Sequence, residues 1–241
     1  MSVEFVSADQ VAHAAACEAP LRLVDTFGRV ARDLRVSLTD RCNLRCSYCM
    51  PPEGLDWLPT EETLTDAEVV RLVRIGVERL GIRQVRFTGG EPLLRRGLEG
   101  IIAECSQLRT DEGQAPDLAL TTNALGLAKR AQGLRDAGLD RVNISLDSLD
   151  REHYAAITRR DRLGDVLEGI EAAARVGLSP IKVNTLVLRG MNEADLPDLV
   201  DYCLDRGIEL RVIEQMPIGP VDTWDRQNIL TADEILHIMG T

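Results

Sequence analysis

The sequence has no surplus of positive charge. Against 39 Asp and Glu stand 28 Lys and Arg, a formal net charge of -11 over 241 residues. Phosphate backbones are held by clustered cations, so this balance argues against a nucleic-acid partner, though not against a small anion gripped by a few basic side chains. No apolar run comes near the ~18 residues that a membrane span needs. The first ten residues, MSVEFVSADQ, lack the basic start and apolar stretch of a secretory signal. The expected compartment is therefore the reducing cytoplasm, where disulfides are rare. Of six cysteines, Cys17, Cys105 and Cys203 are scattered, while Cys42, Cys46 and Cys49 crowd into RCNLRCSYCM, residues 41–50, with no fourth nearby. A tetrahedral metal ion wants four ligands, so the question is what three thiolates hold.

What is present is an α/β pattern. The chain is 44% hydrophobic, enough for one large domain with a substantial core. Residues 1–24 are Ala-rich and unpatterned and are expected to be a flexible leader; the ordered barrel domain is expected over 25–241. Strand-type runs fall at 33–39, 84–90, 117–123, 141–147, 180–188 and 209–216. Helical-period stretches fall at 65–80, 96–108, 126–137, 163–176 and 193–206. Such alternation makes a parallel sheet wound with right-handed crossovers. Thr65 with Glu68 three positions on predicts a capping box, and Gly81, Gly138 and Gly177 stand where helices should stop.

The strands also report on the interior. With Leu34, Val36 and Leu38 facing the helices, Arg35, Ser37 and Thr39 must point the other way. The same parity puts Arg86, Thr88, Asn143, Ser145, Lys182 and Asn184 inside, whereas a sealed barrel would be filled by Val, Ile and Leu. Six strands with a polar lumen predict an incomplete (β/α)6 TIM-type barrel that admits ligands. Function belongs at the C-terminal strand ends, where the cysteine cluster begins.

A disulfide would leave one cysteine over, and a zinc site would need a distant fourth ligand such as His153 or His237. A 4Fe-4S cluster on three thiolates leaves one iron open. The C-x3-C-x2-C spacing, with Tyr48 before the last cysteine and GGEP at 89–92, resembles the radical S-adenosylmethionine (SAM) superfamily. That resemblance implies an open iron that chelates the methionine amino and carboxylate groups of SAM. It then passes one electron to break the sulfonium C–S bond, yielding a 5'-deoxyadenosyl radical.

The series DLRVSLTDRCNLRC, VRFTGGEPLLR, LTTN, VNISLDSLD, IKVN and IEQMP, over about 23–239, is similar to the GTP 3',8-cyclase family, molybdenum cofactor biosynthesis protein A. This implies conversion of GTP to (8S)-3',8-cyclo-7,8-dihydroguanosine 5'-triphosphate, the ribose C3' attacking C8 of guanine. By position, Cys42, Cys46 and Cys49 would ligate the cluster. Tyr48, Gly90, Ser145 and Met216 would contact SAM, with Gly89 and Glu91 shaping the edge that receives its amino group. Arg35, Arg86, Thr121 and Lys182 would contact GTP, three of them basic residues expected to be buried.

Implied partners are GTP, a low-potential electron donor and the downstream cyclic pyranopterin monophosphate synthase; a homodimer is left open. The family also carries a second 4Fe-4S cluster on three C-terminal cysteines, whereas none of residues 217–241 is Cys, so those ligands are expected to be absent. TTNA at 121–124 replaces the common TTNG. A shortened or inactive homologue, and a radical SAM enzyme for another small molecule or a peptide, remain open alternatives. Arg95-Arg96 and Arg159-Arg160 read as solvated faces, and Cys105 and Cys203 as small buried apolar groups.

Overall fold

The computed structural model describes residues 21–216 and 229–240. Most of the leader, and part of the stretch expected to lack second-cluster ligands, lie outside the described residues. Six strands form one sheet in chain order: β1 (Asp33–Ser37), β2 (Gln84–Thr88), β3 (Asp117–Thr122), β4 (Arg141–Ser145), β5 (Ile181–Leu186) and β6 (Glu209–Ile213). Every neighbouring pair is parallel. Helices α1 (Asp66–Leu80), α2 (Leu98–Ser106), α3 (Leu127–Asp136), α4 (Arg151–Thr158), α5 (Leu163–Arg175), α6 (Leu196–Asp205) and α7 (Ala232–Ile238) fill the connections. The predicted α/β architecture is observed, with the six strands and the five predicted helices somewhat shorter than their sequence signals.

The outer faces explain the winding. Val85, Phe87, Leu118, Leu120, Val142, Ile144 and Val183 are fully buried against the helices. Each contributes about 1.5–3 kcal/mol of burial. α1 answers with Val69, Val70, Val73 and Val77, its start held by the predicted Thr65–Glu68 capping box and its end by Gly81 in the left-handed conformation. Cys105 and Cys203 are buried in the same core, as expected.

The inward parity also holds, and the register stacks the polar positions. Arg35 pairs with Arg86, and Arg86 with Ala119, which pairs with Arg141. Above them Thr121, Asn143, Lys182 and Glu209 form one row, and Ser145, Asn184 and Arg211 another. Edge strands β1 and β6 are not paired with each other, so the barrel is open along one side. Arg35 on β1 is consequently exposed, which corrects the expectation that all three basic substrate positions are buried; Arg86 and Lys182 are half-buried.

Two local features lie beyond the sequence pattern. α4 was not predicted: it is eight residues long, with only Tyr154, Ile157 and Thr158 buried, too few to set a period. Its start is nonetheless marked by Asp150, whose side chain accepts from the backbone N–H groups of Glu152 and His153. The TTNA departure sits at φ +63, so buried Ala124 occupies a conformation that favours glycine. Thr122 Oγ1 accepts its N–H at 2.9 Å and holds the turn.

Candidate functional site

The cysteine loop leaves the C-terminal end of β1 and is clamped from two sides. On one side, Gly90 N donates to Thr39 O and Glu91 N to Arg41 O, each at 2.7 Å. A Cβ on Gly90 would lie 2.3 Å from Arg41 O, and one on Gly89, at φ +140, 2.3 Å from Thr39 O. Only glycines permit that approach. On the other side, Arg45 N donates to Thr158 O at 3.1 Å and Ser47 N to Ile157 O at 2.9 Å, so the unpredicted α4 is the platform of the loop. Within the loop, Cys49 N returns to Cys46 O at 3.0 Å, and Arg45 Nη1 donates to Cys42 O and Leu44 O, both at 2.8 Å.

Cys42, Cys46 and Cys49 line a cavity of about 230 Å³ together with Gly89, Gly90 and Ser145. Burial, reinforced by the Asp147 carboxylate and the neighbouring thiols, pushes Cys46 up to about 12. Burial, then Cys42 and Asp147, pushes Cys49 up to about 11, and burial also raises Cys42. Three adjacent buried thiols therefore resist ionisation unless further positive charge joins them. Among the described residues, no three His, Cys, Asp or Glu side chains converge on a single metal ion. His153 is engaged elsewhere, its Nδ1 2.8 Å from Asp195 Oδ2. The donor set thus fits a 4Fe-4S cluster, in which each thiolate takes a different iron and the cluster provides the missing positive charge. A lone zinc ion fits it poorly.

Glu91 is fully buried, and its carboxylate is fully used. It accepts from Leu93 N at 2.9 Å, Thr122 Oγ1 at 2.7 Å and Asn123 N at 2.7 Å. It therefore joins the ends of β2 and β3 and shapes the glycine edge from behind. Asn123 continues the link: its Nδ2 donates to Asn43 Oδ1 at 2.8 Å and lies 3.9 Å from Cys42 Sγ. Tyr48 Oη donates to Asp147 Oδ2 at 2.8 Å, and Asp147 Oδ1 accepts Leu186 N at 2.9 Å. Burial holds Asp147 up to about 6. Asn123 and Asp147 were not singled out from sequence, although both stand where a strand ends on the ligand side, in LTTN and SLD.

A second cavity of about 340 Å³ adjoins the first, sharing Tyr48, Cys49, Ser145 and Asp147 and adding Asn184 and Met216. Met216 is exposed at its wall. Thr121 lines the first cavity and accepts from Asn143 Nδ2 at 3.2 Å. The same inward face carries the lumen cations. Arg141 is paired with Asp117 at 2.9 Å, while Lys182 and Arg211 share Glu209 at 2.7 and 2.8 Å. Arg86 is different: its Nε is buried with no hydrogen-bond partner among the described residues. Burial, then repulsion from Arg141 and Arg35, lowers its pKa.

Two arginine pairs read as solvated are partly structural. Arg95 Nη1 donates to Leu38 O and Nη2 to Leu64 O, both at 2.7 Å, bracing the loop after β1. Arg159 Nη1 donates to Arg45 O at 2.9 Å and Met50 O at 3.0 Å.

Known proteins resemble this chain in sequence and in fold. The profile of the radical SAM superfamily matches residues 36–203. A GTP 3',8-cyclase of Corynebacterium glutamicum is 64% identical over 214 residues, 89% of this chain and 57% of that protein. One from Mycobacterium marinum is 58% identical over the same share of this chain and 58% of its own length. The chain thus spans somewhat under two thirds of the curated relatives it matches. Among solved structures, Streptococcus suis SuiB bound to S-adenosylmethionine superposes with a TM-score of 0.61 at 19% identity, over 75% of this chain and 38% of that one. Escherichia coli coproporphyrinogen III oxidase (HemN) superposes with a TM-score of 0.55 at 13% identity, over 98% of this chain and 54% of that one. At such identities the likeness is one of fold. With a cluster-fitting thiol triad at the mouth of an open parallel barrel and a family profile across its core, the chain belongs to the radical SAM superfamily.

Proposed function

We propose that this chain forms the barrel portion, residues 25–241, of a GTP 3',8-cyclase that closes ribose C3' onto guanine C8 in molybdenum cofactor biosynthesis. The observation that carries the substrate reading is the unpartnered Nε of Arg86, an inward position of β2 close enough to Arg141, Arg35 and Arg211 to be repelled by them. A buried guanidinium Nε without an acceptor is costly, and a phosphate oxygen is the acceptor that the surrounding cations favour. On this reading, the acids that partner Lys182, Arg141 and Arg211 give way to triphosphate or share their cations with it. Thr121 and Lys182 lie in one register row above Arg86, so one ligand can span them.

A 4Fe-4S cluster held by Cys42, Cys46 and Cys49 is proposed. When bound, it and SAM supply the reductive cleavage that generates the hydrogen-abstracting radical. Ser145 and Met216 flank the larger cavity and would receive the nucleoside of SAM. Gly89 and Gly90, shaped by Glu91, would present a backbone edge to its methionine, and Tyr48, fixed by Asp147, would close the cysteine side. The barrel walls orient SAM and GTP and exclude water from the radical. The same reading calls for a low-potential electron donor and for the downstream cyclic pyranopterin monophosphate synthase as consumer of the product. Reduced thiols suit the cytoplasm; among the described residues no helix is long and apolar enough to cross a membrane.

Nucleotide binding tests the substrate assignment. Titration calorimetry on the reconstituted chain should show GTP binding that weakens roughly 10- to 100-fold in Arg86→Met, the loss of charge-assisted hydrogen bonding to phosphate. Equal GTP affinity in parent and variant, or preference for an unrelated anion, would count against it.

A further inference from the structure

Arg159 stands at the C-terminal end of α4 with φ +56, a left-handed conformation that disfavours any residue with a Cβ. It is exposed, and glycine or asparagine would occupy the position with less strain. The side chain explains the choice. A single nitrogen, Nη1, donates to Arg45 O at 2.9 Å and to Met50 O at 3.0 Å. Those carbonyls belong to the residue just before Cys46 and the residue just after Cys49. One guanidinium therefore closes the ring that carries two of the three thiols. Its backbone neighbours Thr158 and Ile157 accept Arg45 N and Ser47 N at 3.1 and 2.9 Å, so the end of α4 grips the same segment from both carbonyl and guanidinium sides.

From this we infer that Arg159 is a positioning residue: it sets the spacing of Cys46 and Cys49 before any cluster arrives, and slows the opening of the loop by which a cluster would leave. The inference rests on the cluster reading for the holo form, whereas its claim about the loop concerns the protein with or without a cluster. The left-handed backbone delivers the guanidinium across the loop; a right-handed continuation of α4 would direct the side chain along another path. Holding the ligand loop in its binding geometry reduces the ordering entropy that cluster capture would otherwise cost.

The test uses the full 241-residue chain and two substitutions. Arg159→Gly removes the clamp at a backbone conformation glycine accepts, so folding is preserved; Arg159→Lys keeps charge and one donor nitrogen. In the cluster-free protein, alkylation of Cys46 and Cys49, followed by peptide mass spectrometry, should speed up about fivefold in Arg159→Gly, the loss of one or two hydrogen bonds against local opening. The buried Cys105 and Cys203 are the internal controls and should not change. After reconstitution, the decay of cluster absorbance in excess chelator should be roughly tenfold faster in Arg159→Gly and intermediate in Arg159→Lys. Unchanged alkylation and decay in Arg159→Gly would overturn the inference, as would acceleration of Cys105 and Cys203 in step with the loop thiols, which would mark general loosening. A parent that takes up no cluster while its variants show the alkylation difference would instead remove the cluster reading and leave the clamp standing.

Discussion

Cys46→Ala should leave a folded protein that assembles no stable cluster and cleaves SAM at the background rate of a cluster-free control. Of the three thiols, Cys46 is pushed up the furthest, to about 12, by burial and by Asp147. At neutral pH it is therefore a neutral side chain in the cluster-free protein, and only a bound cluster can hold it as thiolate. Ligation must release its proton, so reconstitution should become more complete as pH rises. Removing this ligand takes away one of three anchors, and the acid beside it, Asp147, is already held by Tyr48 Oη and Leu186 N. Cys105→Ala and Cys203→Ala touch only the apolar core and should keep the full iron content. Iron analysis and visible absorbance after anaerobic reconstitution decide the matter. A Cys46→Ala protein with the parent's iron content and cleavage rate would refute the triad.

The largest effect on stability is expected at Glu91. Its carboxylate answers three donors, Leu93 N, Thr122 Oγ1 and Asn123 N, inside a site closed to solvent. Glu91→Ala leaves all three without an acceptor and opens a cavity between the ends of β2 and β3, a loss on the order of 3–5 kcal/mol. Glu91→Gln is nearly isosteric but puts an amide N–H against a donor, and should cost less, about 1–3 kcal/mol. Urea unfolding of the cluster-free chain measures both. Because Asn123 also reaches toward Cys42, Glu91→Ala should impair cluster assembly as well. An unfolding midpoint unchanged from the parent would show that the carboxylate contributes no structural support.

The six strands were legible because their outer faces are runs of Val, Ile, Leu and Phe bounded by turn residues, and burial of those faces decides the sheet. The polar lumen was legible from the same parity, since what does not face the helices must face inward. Exposure in the lumen was not legible: Arg35 has the sequence surroundings of Arg86, but it lies on an edge strand of an open barrel. α4 escaped because eight residues with few apolar anchors carry no measurable period. Consecutive arginines suggest a wet surface, yet Arg95 and Arg159 reach backbone carbonyls far away in the chain. Such long-range capping leaves no trace in local pattern. The strained turn at Ala124 was visible as a departure from the family, but its reason, a positive φ, required the backbone.

On the proposed reading, this barrel generates a radical from SAM and directs it at GTP. The most direct measurement is formation of 5'-deoxyadenosine by the reconstituted, dithionite-reduced chain, with and without GTP. GTP should stimulate cleavage by the parent, and Arg86→Met should make cleavage indifferent to GTP. A parent with an intact cluster whose cleavage ignores GTP would contradict the substrate assignment, and one that cleaves no SAM would contradict the radical reading of the site.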